Sequence, residues 1–209
     1  MRLVEPGFAD DSSPISPRRA AREIDLALPD DAILVSDIGI HHNWLIQYCK
    51  PKRPDSLIGS MGFGPMGFGV AGVLGAKLAA PNRQVCSLIG DGSLGYCIGE
   101  LETARRYNIP AVNIVLNNGT LGYEKFLIKY FNKPGELTEE YPGCDYVDTD
   151  YAAIARAFGC VGIRVEHPSE LRPALEKAFG SGRPAVIDVV IDPDVIPPIT
   201  FFPEADRSL

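Results

Sequence analysis

Gln84–Asn118 reads QVCSLIGDGSLGYCIGELETARRYNIPAVNIVLNN, and this stretch decides the fold. Gln84–Ile89 is an apolar run of strand length that leads into Gly90, Asp91, Gly92 and Ser93. Ala111–Leu116 is a second such run, ending on Asn117 and Asn118. Between them Leu94, Ile98, Leu101 and Ala104 recur at helical spacing, which predicts a helix over Gly95–Tyr107. A strand, a helix and a strand in this order form a parallel pair, so both strands end at one carboxyl edge, where ligands of doubly wound sheets bind. Asp91 then offers a carboxylate, Asn118 an amide oxygen, and the Gly92–Ser93 turn backbone N–H groups at a helix N-terminus. Hard oxygen ligands beside an anion cradle suit Mg²⁺ carrying a diphosphate. The competing reading is an ordinary strand-to-helix turn followed by an asparagine cap, because Asp-Gly is common in turns.

Working outward, Ser16-Pro17 opens a helix with Ser as N-cap and Pro in the first turn, and Ala20, Ile24 and Leu28 share its inner face. Ala32–Ser36 reads as a strand that ends in Asp37-Ile38-Gly39 and leads to His41 and His42. Gly62–Gly69 is a glycine run whose backbone can approach a flat ligand, followed by a Gly/Ala-rich helix. Beyond Asn118, Lys129–Tyr146 is rich in Pro, Gly and Tyr and reads as a loop over the site. Tyr151–Phe158 reads as a helix, Val161–Val165 as a strand, Pro168–Phe179 as a helix begun by Ser169, and Pro184–Ile191 as a buried parallel strand. His167, at a strand-to-helix turn, reads as a capping or surface residue. The expected fold is α/β, a doubly wound, mostly parallel sheet with helices on both faces. Residues 1–14 read as a linker, 15–195 as one domain and 196–209 as a tail.

A formal net charge of -7 and a pI near 5.0 argue against a nucleic-acid footprint. The five cysteines are widely spaced with no C-x-x-C, so they read as reduced thiols of a cytoplasmic protein. Ser56–Ala76 is uncharged, but its seven glycines leave too few large apolar residues for a membrane span, and it reads as buried loop and helix. No secretory signal is visible at the N-terminus.

Gly90-Asp91-Gly92, the twenty-four-residue spacer and Asn117-Asn118 resemble the thiamine-diphosphate signature. Leu74-Gly75, Pro81 and the apolar strand before Gly90 follow the same pattern, although Cys86 stands where a larger apolar residue is usual. Almost the whole chain resembles the C-terminal, diphosphate-binding domain of the acetolactate synthase and pyruvate decarboxylase group. The resemblance implies that Gly39, Ile40 and His41 approach the diphosphate, with Ile40 replacing a glutamine and limited to its backbone N–H. Otherwise His41 and His42 are polar residues at a pocket rim. It implies that the Gly64 carbonyl holds the aminopyrimidine and that Met66, otherwise core filler, props the bent cofactor. Asp91, Asn118 and the Thr120 carbonyl become the Mg²⁺ ligands. Gly90, Gly92, Ser93, Leu121, Gly122 and Tyr123 complete the cofactor site.

Leu121-Gly122 matches acetolactate synthases, but Leu127 stands where those enzymes carry a tryptophan. Glu124 falls where pyruvate-type decarboxylases place an active-site glutamate; its alternative is a solvated helix start. The family's pyrimidine-binding domain, whose glutamate pairs with the cofactor's N1′, has no counterpart here. The chain is therefore expected to be one subunit of a split enzyme, in a hetero-oligomer such as α2β2, or an excised domain. Its substrates are expected to be small 2-oxo acids or aldehydes, handled by decarboxylation or carboligation. A non-catalytic diphosphate-binding module, or an acyl- or aldehyde-transferring enzyme, is the alternative.

Overall fold

The computed structural model describes residues 8–131, 141 and 143–197. Its centre is a six-stranded sheet in which every pairing is parallel, in the order β2-β1-β3-β4-β6-β5. The strands are β1 (Ile33–Ser36), β2 (Leu57–Gly59), β3 (Val85–Gly90), β4 (Val112–Asn117), β5 (Val161–Val165) and β6 (Ala185–Val190). The helices are α1 (Pro17–Ala27), α2 (Ile40–Tyr48), α3 (Phe68–Ala79), α4 (Asp91–Tyr96), α5 (Glu100–Arg106), α6 (Gly122–Phe131), α7 (Tyr151–Ala157) and α8 (Pro168–Gly180).

Strand alternation sorts the core into two layers. Leu34, Cys86, Leu88, Val112, Ile114, Leu116, Ile187 and Val189 project to one face and pack with Ala20 and Ile24 of α1, Trp44 and Leu45 of α2, and Leu171 and Leu175 of α8. Val35, Val85, Ile89, Val115 and Val186 project to the other, against α3, α5 and α7. Central strands buried on both faces read as unbroken apolar runs, which is why β3 and β4 are legible from composition. Cys86, short for its position, is fully buried under α1 and α2. The expected doubly wound sheet is present, and parallel throughout the described residues.

The chain winds from β1 outward to β2, returns to β3 beside β1, and winds the other way to β4. The switch point of the sheet therefore lies between β1 and β3, and it is at the carboxyl edge of such a point that doubly wound sheets bind ligands. Ser36, Gly90 and Asn117 end the three strands there.

Four expectations are corrected. The helix expected over Gly95–Tyr107 is two helices, α4 starting at Asp91 and α5 at Glu100, with Cys97-Ile98-Gly99 between them. Leu57–Gly59, read as buried loop, is an exposed edge strand, since three residues among so many glycines carry no legible period. Helix α8 is not begun by Ser169: His167 is its N-cap, in line with the capping reading of that residue, because Pro168 takes the first helical position and the Glu170 carboxylate accepts the N–H of His167. The loop expected over Lys129–Tyr146 begins as helix up to Phe131, and residues 132–140 and 142 lie outside the described residues. Of the expected linker, residues 1–7 lie outside the described residues, and Phe8 packs edge-on against Tyr48 at 5.5 Å. The expected tail is described only to Pro197. Among the described residues no helix is long and apolar enough to cross a membrane.

Candidate functional site

Asp91 begins α4 directly after β3 and is 3% exposed. Its Oδ1 accepts the Gly92 N–H at 2.9 Å, while Oδ2 is buried with no hydrogen-bond partner. Burial pushes the carboxyl up to about 6, against the opposing pull of the Gly92, Gly119 and Thr120 backbone amides. A buried carboxylate oxygen left unpaired is costly and rare, and it points to a ligand that supplies charge.

His41, in the first turn of α2, is buried rather than at a rim. Its Nε2 is the second unpaired polar atom of the site. Burial, helped by His42, lowers it to about 3, so the imidazole is neutral at physiological pH. The ring wedges between the ends of β1 and β3. A Cβ on Gly90 would lie 2.9 Å from its Nδ1, and one on Gly39, whose φ is +138°, 2.8 Å from its Cε1. Glycine at both positions is what lets the ring stand between the two turns. His42 turns away, its Nδ1 2.7 Å from the Ser36 hydroxyl.

The loop after β4 lies against this cluster. Asn118 is half-buried, and a Cβ on Gly122 would meet its Nδ2 at 2.8 Å and Ile40 Cγ2 at 3.0 Å. Ile40, Asn118 and Gly122 thus share one contact across the switch point. Thr120 is buried, and its hydroxyl donates to the Cys144 carbonyl at 3.1 Å. The Leu121 N–H donates to the same carbonyl and the Tyr146 N–H to the Gly119 carbonyl, each at 2.8 Å, so Cys144–Tyr146 straps the loop. Above Gly92, where a Cβ would stand, the Tyr146 hydroxyl, Met66 Cε and Leu121 Cδ2 converge within 2.9, 3.0 and 3.1 Å.

Ser93 is buried, its hydroxyl 3.5 Å from the Ile38 carbonyl. Gly64, with φ +66°, packs on Ile38. Asp37 joins this glycine run to β1: its Oδ2 accepts the N–H groups of Gly67 at 2.9 Å and Gly69 at 3.1 Å. Gly69 itself must be bare, since a Cβ would stand 2.6 Å from Ile89.

The structure therefore gathers Gly39, Ile40, His41, Met66, Gly90, Asp91, Gly92, Asn118, Leu121 and Gly122 at one edge. Gly64 and Ser93 join through Ile38, and Tyr123 is half-buried at the second residue of α6. Glu124 does not join them: it is exposed in the first turn of α6, where a carboxylate complements the helix N-terminus. Among the described residues no three His, Cys, Asp or Glu side chains gather as a metal cluster. One carboxylate, one amide and one peptide carbonyl are a sparse set, suited to Mg²⁺, which keeps waters and phosphate oxygens as ligands. The unpaired Oδ2 of Asp91 fits that demand. Sequence reading missed Asp37 and the pairing of Asn117 with Asp188, whose signals were single polar residues within or beside apolar runs, and it gave Tyr146, in a polar stretch, no role of its own.

A family model described as the thiamine pyrophosphate enzyme, C-terminal TPP binding domain, matches residues 37–189. A probable acetolactate synthase of Mycobacterium bovis is 39% identical over 196 residues, covering 94% of this chain and 35% of that protein. A benzoylformate decarboxylase of Pseudomonas aeruginosa is 35% identical over 184 residues, covering 88% and 34%. The solved structure of a thiamine diphosphate-dependent 4-hydroxybenzoylformate decarboxylase from Rhodococcus jostii RHA1 matches with a TM-score of 0.81 at 31% identity, over 92% of this chain and 35% of that one. The chain thus spans about a third of the length of these relatives. With the glycine-flanked Asp91 at the carboxyl edge of the sheet beside the β1/β3 switch point, the chain belongs to the thiamine pyrophosphate enzyme family, as its C-terminal cofactor-binding domain.

Proposed function

We propose that the chain supplies the diphosphate- and Mg²⁺-binding half of a thiamine-diphosphate-dependent 2-oxo acid decarboxylase or carboligase, completed by a pyrimidine-binding domain or subunit. The observation that carries this reading is the buried, unpaired Oδ2 of Asp91 beside the Asn118–Thr120 loop. Asp91, the Asn118 amide oxygen and the Thr120 carbonyl hold the metal, and the Gly92 and Ser93 amides receive the diphosphate at the start of α4. Neutral His41 adds an uncharged ring nitrogen at the same edge. Gly64 and Met66 orient the aminopyrimidine end.

Bound thiamine diphosphate supplies the carbon nucleophile that attacks a substrate carbonyl. The residues of this chain hold and orient it. The glutamate that pairs with N1′ comes from the pyrimidine-binding partner, which covers the face beside Gly64, where Met61 and the 93% exposed Phe63 stand free. Calorimetry on the chain tests the reading directly: thiamine diphosphate should bind with Mg²⁺ and fail to bind with a chelator. Binding that ignores the metal overturns it.

Glu124 carries proton transfer only once the partner buries it beside the cofactor. Glu124→Gln in the completed enzyme should then keep cofactor binding and lower turnover by about a hundredfold, the scale of a lost general acid-base group. Its exposure in this chain favours a second reading, a cofactor-binding domain in which Glu124 is a solvated helix start. Equal turnover in variant and parent selects that reading.

A further inference from the structure

Asp188 is fully buried in the carboxyl half of β6, and the proposed function gives it no task. Its two oxygens face different ways. Oδ2 accepts the Tyr151 N–H at 3.0 Å and Arg164 Nη1 at 3.1 Å, a structural arrangement at the start of α7. Oδ1 accepts Asn117 Nδ2 at 2.9 Å. Asn117, on the neighbouring β4, also donates to the Thr149 carbonyl at 3.2 Å and accepts the Gly119 N–H through its Oδ1 at 3.2 Å.

An amide can be turned either way round, but a charged carboxylate only accepts. Asp188, with the shorter of the two contacts, and the Thr149 carbonyl, which likewise only accepts, together draw the nitrogen of Asn117 to their side, which leaves the oxygen toward Gly119. That bond holds the peptide between Asn118 and Gly119, at the residue whose φ of +65° turns the loop. The Gly119 carbonyl is held from the other side by the Tyr146 N–H. With Gly119 held on both sides, the Asn118 side chain and the Thr120 carbonyl have one presentation.

We propose that Asp188, acting through the enforced orientation of Asn117, is a positioning residue that sets the geometry of the Asn118–Thr120 metal loop. The first asparagine of the pair is thus a lever and the second a ligand, and the inference rests on the metal reading of that loop. Second-shell partners of this kind alter metal affinity without touching the metal.

Two measurements on the full chain test it. In the metal-free chain, amide exchange at Gly119 should quicken about tenfold in Asp188→Asn, the scale of one lost hydrogen bond, while the β3 amides keep their parent rates. With thiamine diphosphate present, the same variant should bind Mg²⁺ ten- to hundredfold more weakly. Asp150→Ala is the control for a merely structural effect, because Asp150 Oδ1 caps the same helix α7 by accepting the Ala153 N–H at 2.7 Å. It should lower stability and leave Mg²⁺ affinity at the parent value. If Asp188→Asn does not fold, Asn117→Ala takes its place with the same expectations. Parent-like Gly119 exchange and Mg²⁺ affinity in the variant overturn the proposal, as does an equal loss of affinity in Asp150→Ala. A parent chain that binds no Mg²⁺ removes the metal reading, and the exchange measurement still decides whether Asp188 orders the loop.

Discussion

Asp91 and Asp188 are both buried carboxylates, one just past β3 and one in β6, with β4 between the two strands, and their surroundings treat them oppositely. Every oxygen of Asp188 is matched by a donor: the Asn117 amide, the Tyr151 N–H and the Arg164 guanidinium. Asp91 has one oxygen matched and, among the described residues, one left without a hydrogen-bond partner. Burial raises both carboxyls, but around Asp188 a fixed positive charge opposes it, and around Asp91 only backbone dipoles do. The difference separates framework from site. A protein that satisfies its buried charge internally is using it for shape, and one that leaves the charge open has reserved it for a ligand.

The largest expected effect breaks the comparison at the open end. Asp91→Ala should weaken Mg²⁺-dependent binding of thiamine diphosphate by more than about a hundredfold, beyond the loss of any outer-shell partner. Unchanged affinity by calorimetry removes Asp91 from the ligand set.

At the closed end, Asp188→Ala should destabilise the chain by about 3 kcal/mol, because it leaves the Tyr151 N–H without its acceptor, takes from Asn117 and Arg164 their buried partner and opens a cavity in the core. Urea unfolding measures this, and a loss below about 1 kcal/mol dissolves the contrast.

A pH series sharpens the same point. The Asp91 carboxyl titrates at 3.8 in the unfolded chain and at about 6 in the folded one, so the folded state holds the extra proton between those values. The metal-free protein should therefore be most favoured at the acid end of that window and lose stability as pH rises through it, by at most about 3 kcal/mol. Asp91→Asn should flatten that slope in urea titrations with a chelator and raise stability at neutral pH. A slope unchanged by the substitution assigns the pH dependence to other groups. Arg164→Met is the smallest effect, about 1 kcal/mol, since Asp188 keeps two donors and the pairs with Asp148 and Glu166 lie at the surface.

The strand, helix and strand around Gly90–Asn118 were legible because the pattern is local. Two apolar runs, a turn and a helical period need nothing from distant residues to be recognised. Where local signal ran short, reading failed: three residues of β2 lie in a glycine-rich stretch, and the break between α4 and α5 interrupts an otherwise regular helical spacing. Within the site, Asp91 and Asn118 stood out by residue type at strand ends. Asp37 did not, because its partners Gly67 and Gly69 are 30 and 32 residues away. Nor did Tyr146, which reaches Gly92 only after the chain has crossed the loop that follows β4.

By itself the sequence determined the parallel α/β architecture and the family, since strand burial and the glycine-flanked polar ends are written in residue order. Only the tertiary structure decided which polar groups are satisfied. Asn117 and Asp188 lie 71 residues apart and meet because β4 and β6 pair side by side. Asp91 Oδ2 stays unpaired because no donor among the described residues is packed against it where β3 ends beside the β1/β3 switch point. Burial and pairing belong to the packed molecule: the electrostatic cost of a charge depends on what surrounds it in space, and that is settled only when the strands are laid next to one another.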